Sequence, residues 1–165
     1  MAAKKVGGGK LTRSETVTVR LDPKLRYLAE LAARKQRRTL SSYIEWAIEE
    51  SLKQVALKHD ITKEEKSLLD FTAYLWDVYE SDRFVKLAFI CNDLMSHEEQ
   101  VLWKLVSENG YFWQGWYDDN GDWCWNVDNH KLIWEKLREH WELLKSVAAG
   151  EEDESKLPSK VQKME

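Results

Sequence analysis

Residues 14–25 read SETVTVRLDPKL, and the alternation inside them decides how the first half of the chain can fold. Val17, Val19 and Leu21 alternate with Thr16, Thr18 and Arg20, the period of two expected of a half-buried strand from about Glu15 to Leu21. Asp22 and Pro23 stop that strand and supply an N-cap and a first helical position. A helix then fits Pro23–Lys35, with Leu25, Leu28, Leu31 and Ala32 at helical spacing. After a break at Gln36–Arg38, Thr39 is the N-cap of a second helix expected to reach about Leu57. Its apolar stripe is Leu40, Ile44, Ala47, Ile48, Leu52 and Val55. No second strand is expected for about eighty-five residues, so the first has a row of backbone donors and acceptors without a near partner.

A second copy of the chain solves this. Two such strands laid antiparallel pair their edges and turn Val17, Val19 and Leu21 into a shared core with Leu28, Ile44 and Ile48 of four helices. The register then leaves Thr16, Thr18 and Arg20 of each chain on the opposite face. A two-stranded ribbon fits the major groove of B-form DNA. The competing arrangement is a surface strand pairing with a hairpin near the C-terminus of the same chain.

The stretch TVTVRLDPKLRYLAELAARKQRRTLSSYIEWAIEESL resembles the ribbon-helix-helix DNA-binding domain of the Arc and methionine repressor type, over roughly residues 14–57. The resemblance implies a mostly α fold: an intertwined dimer with an intermolecular two-stranded β-ribbon, followed here by a C-terminal α+β domain. It also implies that Thr16, Thr18 and Arg20 reach base edges, roles their chemistry suits. Arginine bridges guanine O6 and N7, and threonine offers a hydroxyl and a methyl. The start of the second helix at Thr39, Leu40 and Ser41 would present N–H groups and the positive helix end to a phosphate. Arg37 and Arg38 would add phosphate contacts, and Lys4, Lys5, Lys10 and Arg13 would add looser ones. The family's turn between helices often contains glycine, whereas this chain has Gln36-Arg37-Arg38-Thr39.

The charge distribution agrees with such a partner. The chain has 165 residues, 33% of them charged and 43% hydrophobic, with a net charge of -4. That total hides a polarity: residues 1–40 hold eleven Lys/Arg against three Asp/Glu, while the part beyond residue 60 is strongly acidic. The basic half suits a polyanion, and the acidic half should project away from the duplex. No run approaches eighteen apolar residues, the N-terminus lacks a secretory h-region, and Cys91 and Cys124 make no disulfide framework. The expected location is the cytoplasm, on the bacterial nucleoid, with no membrane partner.

Four segments are expected: a flexible basic arm (1–13), the ribbon-helix-helix domain (14–58), a helical domain with a β-hairpin (60–149) and a disordered tail (150–165). TKEE at Thr62–Glu65 and SHEE at Ser96–Glu99 fit the capping-box pattern and should open helices, the first carrying Leu68, Leu69, Leu75, Trp76 and Tyr79. RFVKLAFICN is read as a helix, with a strand as the alternative. Asn109-Gly110 is a helix stop. Residues 111–126, YFWQGWYDDNGDWCWN, form a hairpin around Asn120-Gly121. A last helix is expected over about Asn129–Val147. Trp113, Trp116, Trp123 and Trp125 of the hairpin either fill the domain core or leave a face for a protein or small-molecule partner; the core is the preferred reading.

Nothing in the chain spells out catalysis. The cysteines and histidines have no paired ligand spacing, DDNGD has its glycine at the wrong offset for calcium, and no phosphate loop or nucleophile motif occurs. The expectation is therefore a binding protein without cofactor or metal: a sequence-specific DNA-binding homodimer, a transcriptional repressor at a palindromic operator by resemblance. Three alternatives stay open at this level. One is an antitoxin whose C-terminal half binds a toxin protein, another a plasmid partition or transfer accessory protein. In the third, the aromatic hairpin senses a small molecule.

Overall fold

Asp22 and Pro23 start the first helix in the computed structural model, which describes residues 16–58 and 65–159. Helix α1 spans Pro23–Lys35, and the Asp22 carboxylate accepts the Lys24 and Leu25 N–H groups at 2.9 and 3.4 Å. These are donors that the first turn of a helix leaves without an intrahelical acceptor. Helix α2 spans Leu40–Leu52, capped by the Thr39 hydroxyl, which accepts the Ser42 N–H at 3.1 Å.

α2 stops short of the expected Leu57 because the next residues pair as a sheet. Strand β1 (Ala56–Lys58) lies antiparallel to β2 (Glu65–Ser67), with Ala56 opposite Ser67, and the Leu68 N–H donates to Val55 O at 2.7 Å. The expectation of no further strand before the C-terminal hairpin is thus corrected. So is the helix from Thr62: residues 62–64 lie outside the described residues, and Glu65 belongs to β2. Asp70 accepts from the Ser67 N–H at 3.0 Å and its hydroxyl at 2.6 Å, a local alternative to helix that bends the chain. A 3-10 turn at Leu68–Phe71 and a single α-turn, α3 (Thr72–Leu75), follow.

The chain divides into two compact units: one reaches Lys58 and takes in Glu65–Asp70, and the other holds the chain from Phe71 on. In the first unit the buried apolar side chains are Ala33 and Leu57 alone among the described residues.

The second unit has a full core. Helix α4 (Glu80–Ile90) contributes Phe84, Val85 and Ala88, which decides the RFVKLAFICN segment as helix. Helix α5 (His97–Glu108) opens with the expected capping box, Ser96 accepting the Glu99 N–H at 3.2 Å and Glu99 accepting the Ser96 N–H at 2.7 Å. It buries Leu102 and Val106. Strands β3 (Gly115–Tyr117) and β4 (Trp123–Trp125) form the aromatic hairpin, Trp116 opposite Cys124. Asp118 Oδ1 holds its loop by accepting the Asn120 and Asp122 N–H groups, and Gly121 takes a φ of 80° that favours glycine.

The hairpin is shorter than the expected 111–126. Gly110–Phe112 is a 3-10 turn, and Trp113 makes an antiparallel bridge to Leu132. That bridge also explains why the last helix is not continuous from Asn129. The Ile133 N–H donates to Phe112 O at 2.8 Å and the Gln114 N–H to Lys131 O at 2.7 Å, so residues 131–133 are held out of helix by this pairing. Helices α6 (Trp134–Glu139) and α7 (Trp141–Ala148) follow, separated at His140, and Gly150 with φ 75° ends α7.

The expected disordered tail is corrected as far as residue 159. Glu154–Lys156 form a 3-10 turn, Leu157 is buried in the core, and Asn109 Nδ2 donates to Pro158 O at 2.9 Å. The second unit also buries a charge. Asp82 is 3% exposed and receives the Ser81 hydroxyl at 3.0 Å and Arg138 Nε at 3.0 Å. The Arg138 guanidinium, stacked over Tyr79 and beside Asp82, is held even more firmly protonated than usual by that carboxylate.

Candidate nucleic-acid interface

The segment that should read DNA enters α1 without regular structure or a strand partner from its own chain. Residues 16–22 belong to no strand of either sheet. Thr16, Thr18 and Arg20 are exposed, and so are Val17 and Val19; only Leu21 is half-buried. The alternation is therefore present in sequence, but within one chain neither face is covered. Leu28 and Ile48, expected in a dimer core, are exposed as well, and Ile44 is half-buried.

The turn between α1 and α2 is built from charge, with Arg37 and Arg38 where a glycine would be conformationally easier. Arg37 has a φ of 55°, in the left-handed region that favours glycine. Its N–H donates to Arg34 O at 3.1 Å, and the Arg38 N–H donates to Ala33 O at 2.9 Å, so the end of α1 is tied off by backbone bonds. Arg38 is exposed, but its guanidinium lies 5.3 Å from the centre of the Trp46 ring, which holds it beside the first turns of α2. Trp46 in turn packs against Tyr43 at 5.6 Å between ring centres.

At the head of α2, Thr39 occupies the cap and Leu40 and Ser41 are the first two helical residues. Thr39 meets the Ser42 N–H, while no acceptor among the described residues meets those of Leu40 and Ser41. An N-terminus of thirteen residues of helix, flanked by Arg37 and Arg38, carries a local positive potential. Lys4, Lys5, Lys10 and Arg13 lie outside the described residues. From residue 16 to residue 41 the chain holds seven Lys/Arg against two Asp/Glu, whereas Glu45, Glu49 and Glu50 lie further along α2. The basic groups are thus gathered toward the entering segment and the inter-helix turn. Arg38's positioning by Trp46 was not foreseen from sequence; the only signal is an aromatic two helical turns beyond a basic cap.

The hairpin tryptophans divide between the preferred core reading and the alternative of an open face. Trp113 is fully buried and its indole N–H donates to Val106 O at 2.8 Å. Trp125 donates to Ser107 O at 3.0 Å, and Trp123 to Gly110 O at 2.9 Å. Val106 and Ser107 belong to the last turn of α5, whose carbonyls have no acceptor role left inside the helix. Two indoles, those of Trp113 and Trp125, therefore close that helix end, and the third, Trp123, ties the 3-10 turn that follows it. Gly110 makes room for them: a Cβ there would stand 2.6 Å from Trp125 and 2.7 Å from Trp123. Trp113 is removed from the candidate surface by this burial, and of the four hairpin tryptophans only Trp116, 53% exposed, is left broadly open.

Among the described residues no three His, Cys, Asp or Glu side chains gather as metal ligands, and no helix is long and apolar enough to cross a membrane. Cys91 is buried, and burial pushes its thiol pKa up, away from thiolate chemistry. No family model, curated protein or solved structure matches the chain.

Proposed function

We propose that the chain is a homodimeric, sequence-specific binder of double-stranded DNA that acts as a transcriptional repressor at palindromic operators. The observation that carries this reading is the apolar surface of the first unit. Val17 is 79% exposed, Val19 65%, Leu28 60% and Ile48 56%, in a unit whose described residues include two buried apolar side chains. So small a unit lacks the burial to hold itself together, and a second copy would supply it.

The pairing that covers those residues is the antiparallel ribbon of the two 16–21 segments. It would leave Thr16, Thr18 and Arg20 of both chains on one face, six side chains with donors suited to base edges. The same dimer would carry two α2 N-termini with Arg37 and Arg38, each ready for a phosphate flanking the groove. Repression rather than activation follows from the resemblance to Arc and methionine repressor type domains.

Selection of bound duplexes from a random pool tests the reading. A recovered palindrome with two half-sites supports it, and absence of any enriched sequence overturns it. Arg20→Ala should then lose sequence preference at the recovered site, with a loss of about 1–3 kcal/mol per bidentate contact. Unchanged affinity and preference in that variant would remove the ribbon from base reading.

A further inference from the structure

The second unit holds a cavity at the C-terminal end of α5. It has a volume of about 650 Å³, a size that suits a small organic molecule, and its walls include Glu108, Asp122, Trp123, Trp125 and Glu154. These residues come from three places in the chain. Glu108 ends α5, Trp123 and Trp125 belong to β4 with Asp122 just before it, and Glu154 opens the 3-10 turn that leads to the buried Leu157.

The aromatic walls are fixed by the fold. The Trp125 indole N–H is spent on Ser107 O and that of Trp123 on Gly110 O, and the Trp123 ring packs edge-on against Tyr117 at 4.9 Å between centres. Asn109 Nδ2, bonded to Pro158 O, ties the segment carrying Glu154 to the end of α5. Both indoles are half-buried and both of their N–H groups are engaged, so what they offer a guest is aromatic carbon. The face of an indole carries a negative quadrupole and attracts cations.

The charges point the same way. Three acidic residues line the cavity, and no Lys, Arg or His does. Glu108 and Glu154 have no ion-pair partner among the described residues, and Lys156, the basic residue nearest Glu154 in sequence, is paired with Glu152 instead. The end of α5 adds the negative pole of a twelve-residue helix. A neutral guest would leave these charges uncompensated, and an anion would be repelled. The carboxylates do not gather as metal ligands, which favours a guest with bulk of its own over a bare ion. We infer that this cavity binds a small organic cation of the alkylammonium type, with its charge balanced by Glu108, Asp122 and Glu154 and its alkyl groups against the Trp123 and Trp125 rings.

Such a site would make the second unit an effector-binding domain, and it stands on that unit alone, independent of the DNA reading. Choline is the probe, and 3,3-dimethylbutan-1-ol is its near-isostere without the charge. Titrations of the full-length ¹⁵N-labelled protein follow the nine indole N–H resonances, with sodium chloride at equal ionic strength as the reference. Trp123→Phe and Trp125→Phe each assign one resonance by its loss. Choline should shift the Trp123 and Trp125 resonances saturably, and the neutral alcohol should bind about tenfold more weakly or not at all. The double variant Glu108→Gln/Glu154→Gln, changed at two exposed positions, should weaken choline about threefold to tenfold while leaving the indole resonances of the free protein in place. Unmoved Trp123 and Trp125 resonances, or saturable shifts confined to other indoles, would overturn the site. Equal binding of the neutral alcohol, or unchanged choline affinity in the double variant, would overturn the assignment of a cation.

Discussion

Arg37 links the geometry of the inter-helix turn to its charge, and substitution separates the two. Its φ of 55° places a residue with a Cβ in the left-handed region, which disfavours a non-glycine residue by roughly 1–2 kcal/mol. Glycine removes that strain but loses more backbone freedom on folding, by about 0.5–1 kcal/mol. Arg37→Gly should therefore stabilise the α1–α2 unit by about 0.5–1 kcal/mol. Hydrogen exchange over residues 23–52, at fixed protein concentration so that any association is held constant, should slow about twofold to fivefold. Arg37→Ala keeps the strain and should show no such gain. If the proposed DNA binding holds, the two variants should behave alike there: each would remove the proposed phosphate contact of each protomer, so the slope of log affinity against log salt should fall by about 1.8 for a dimer. Fluorescence anisotropy on the selected operator at several salt concentrations reads that slope. Faster exchange in Arg37→Gly would refute the turn geometry as the source of strain. An unchanged slope in both variants would refute the phosphate role.

Three further outcomes concern the second unit. Gly110→Ala should destabilise it by about 1–3 kcal/mol in urea titrations followed by tryptophan fluorescence, because the new Cβ collides with the Trp123 and Trp125 rings. A neutral result would mean that the hairpin does not close the end of α5. Arg138→Ala leaves Asp82 charged and buried without its partner and should lower the thermal midpoint, with a loss of about 3 kcal/mol. Asp82→Asn in the same background should recover part of that loss. The Lys86 ammonium bonded to Asp77 at 2.8 Å holds that carboxyl below the usual range, so the stability it contributes is present above the ordinary carboxylate pKa near ~4 and is lost as pH falls through the lower folded value. Acid unfolding monitored by circular dichroism should show this loss in the wild type and not in Lys86→Met.

Much of the local structure was legible in the residues because it depends on neighbours a few positions apart. Asp22-Pro23, Thr39 and the Ser96/Glu99 pair start helices where expected, each through side-chain oxygens that meet N–H groups of the first turn. The aromatic run around Asn120-Gly121 turned as a hairpin for the same local reason. The misreadings involve partners that lie beyond the reach of a helical turn. Thr62–Glu65 looks like a helix start, but Glu65–Ser67 pairs with Ala56–Lys58. Asn129–Ile133 continues a helical pattern, yet Leu132 bridges Trp113 and takes the chain out of helix. Leu157 sits in a polar tail by composition and is buried by a core that composition does not reveal.

The candidate interface shows the same division. Its candidate residues, the alternation at 16–21 and the basic turn, could be named from the sequence, because a period of two and a run of like charge are properties of the chain itself. The left-handed backbone of Arg37, the stacking of Arg38 on Trp46 and the meeting of Trp123, Trp125 and Glu154 at one cavity could not, because each is a relation between groups brought together only by folding. The sequence by itself determined where the capped helices α1, α2 and α5 begin and which faces are apolar, since capping and periodicity are local. Tertiary structure alone decided where helices give way to strands, which tryptophans are buried and where a cavity opens, since long-range pairing and packing outweigh local preferences of a few tenths of a kcal/mol per residue.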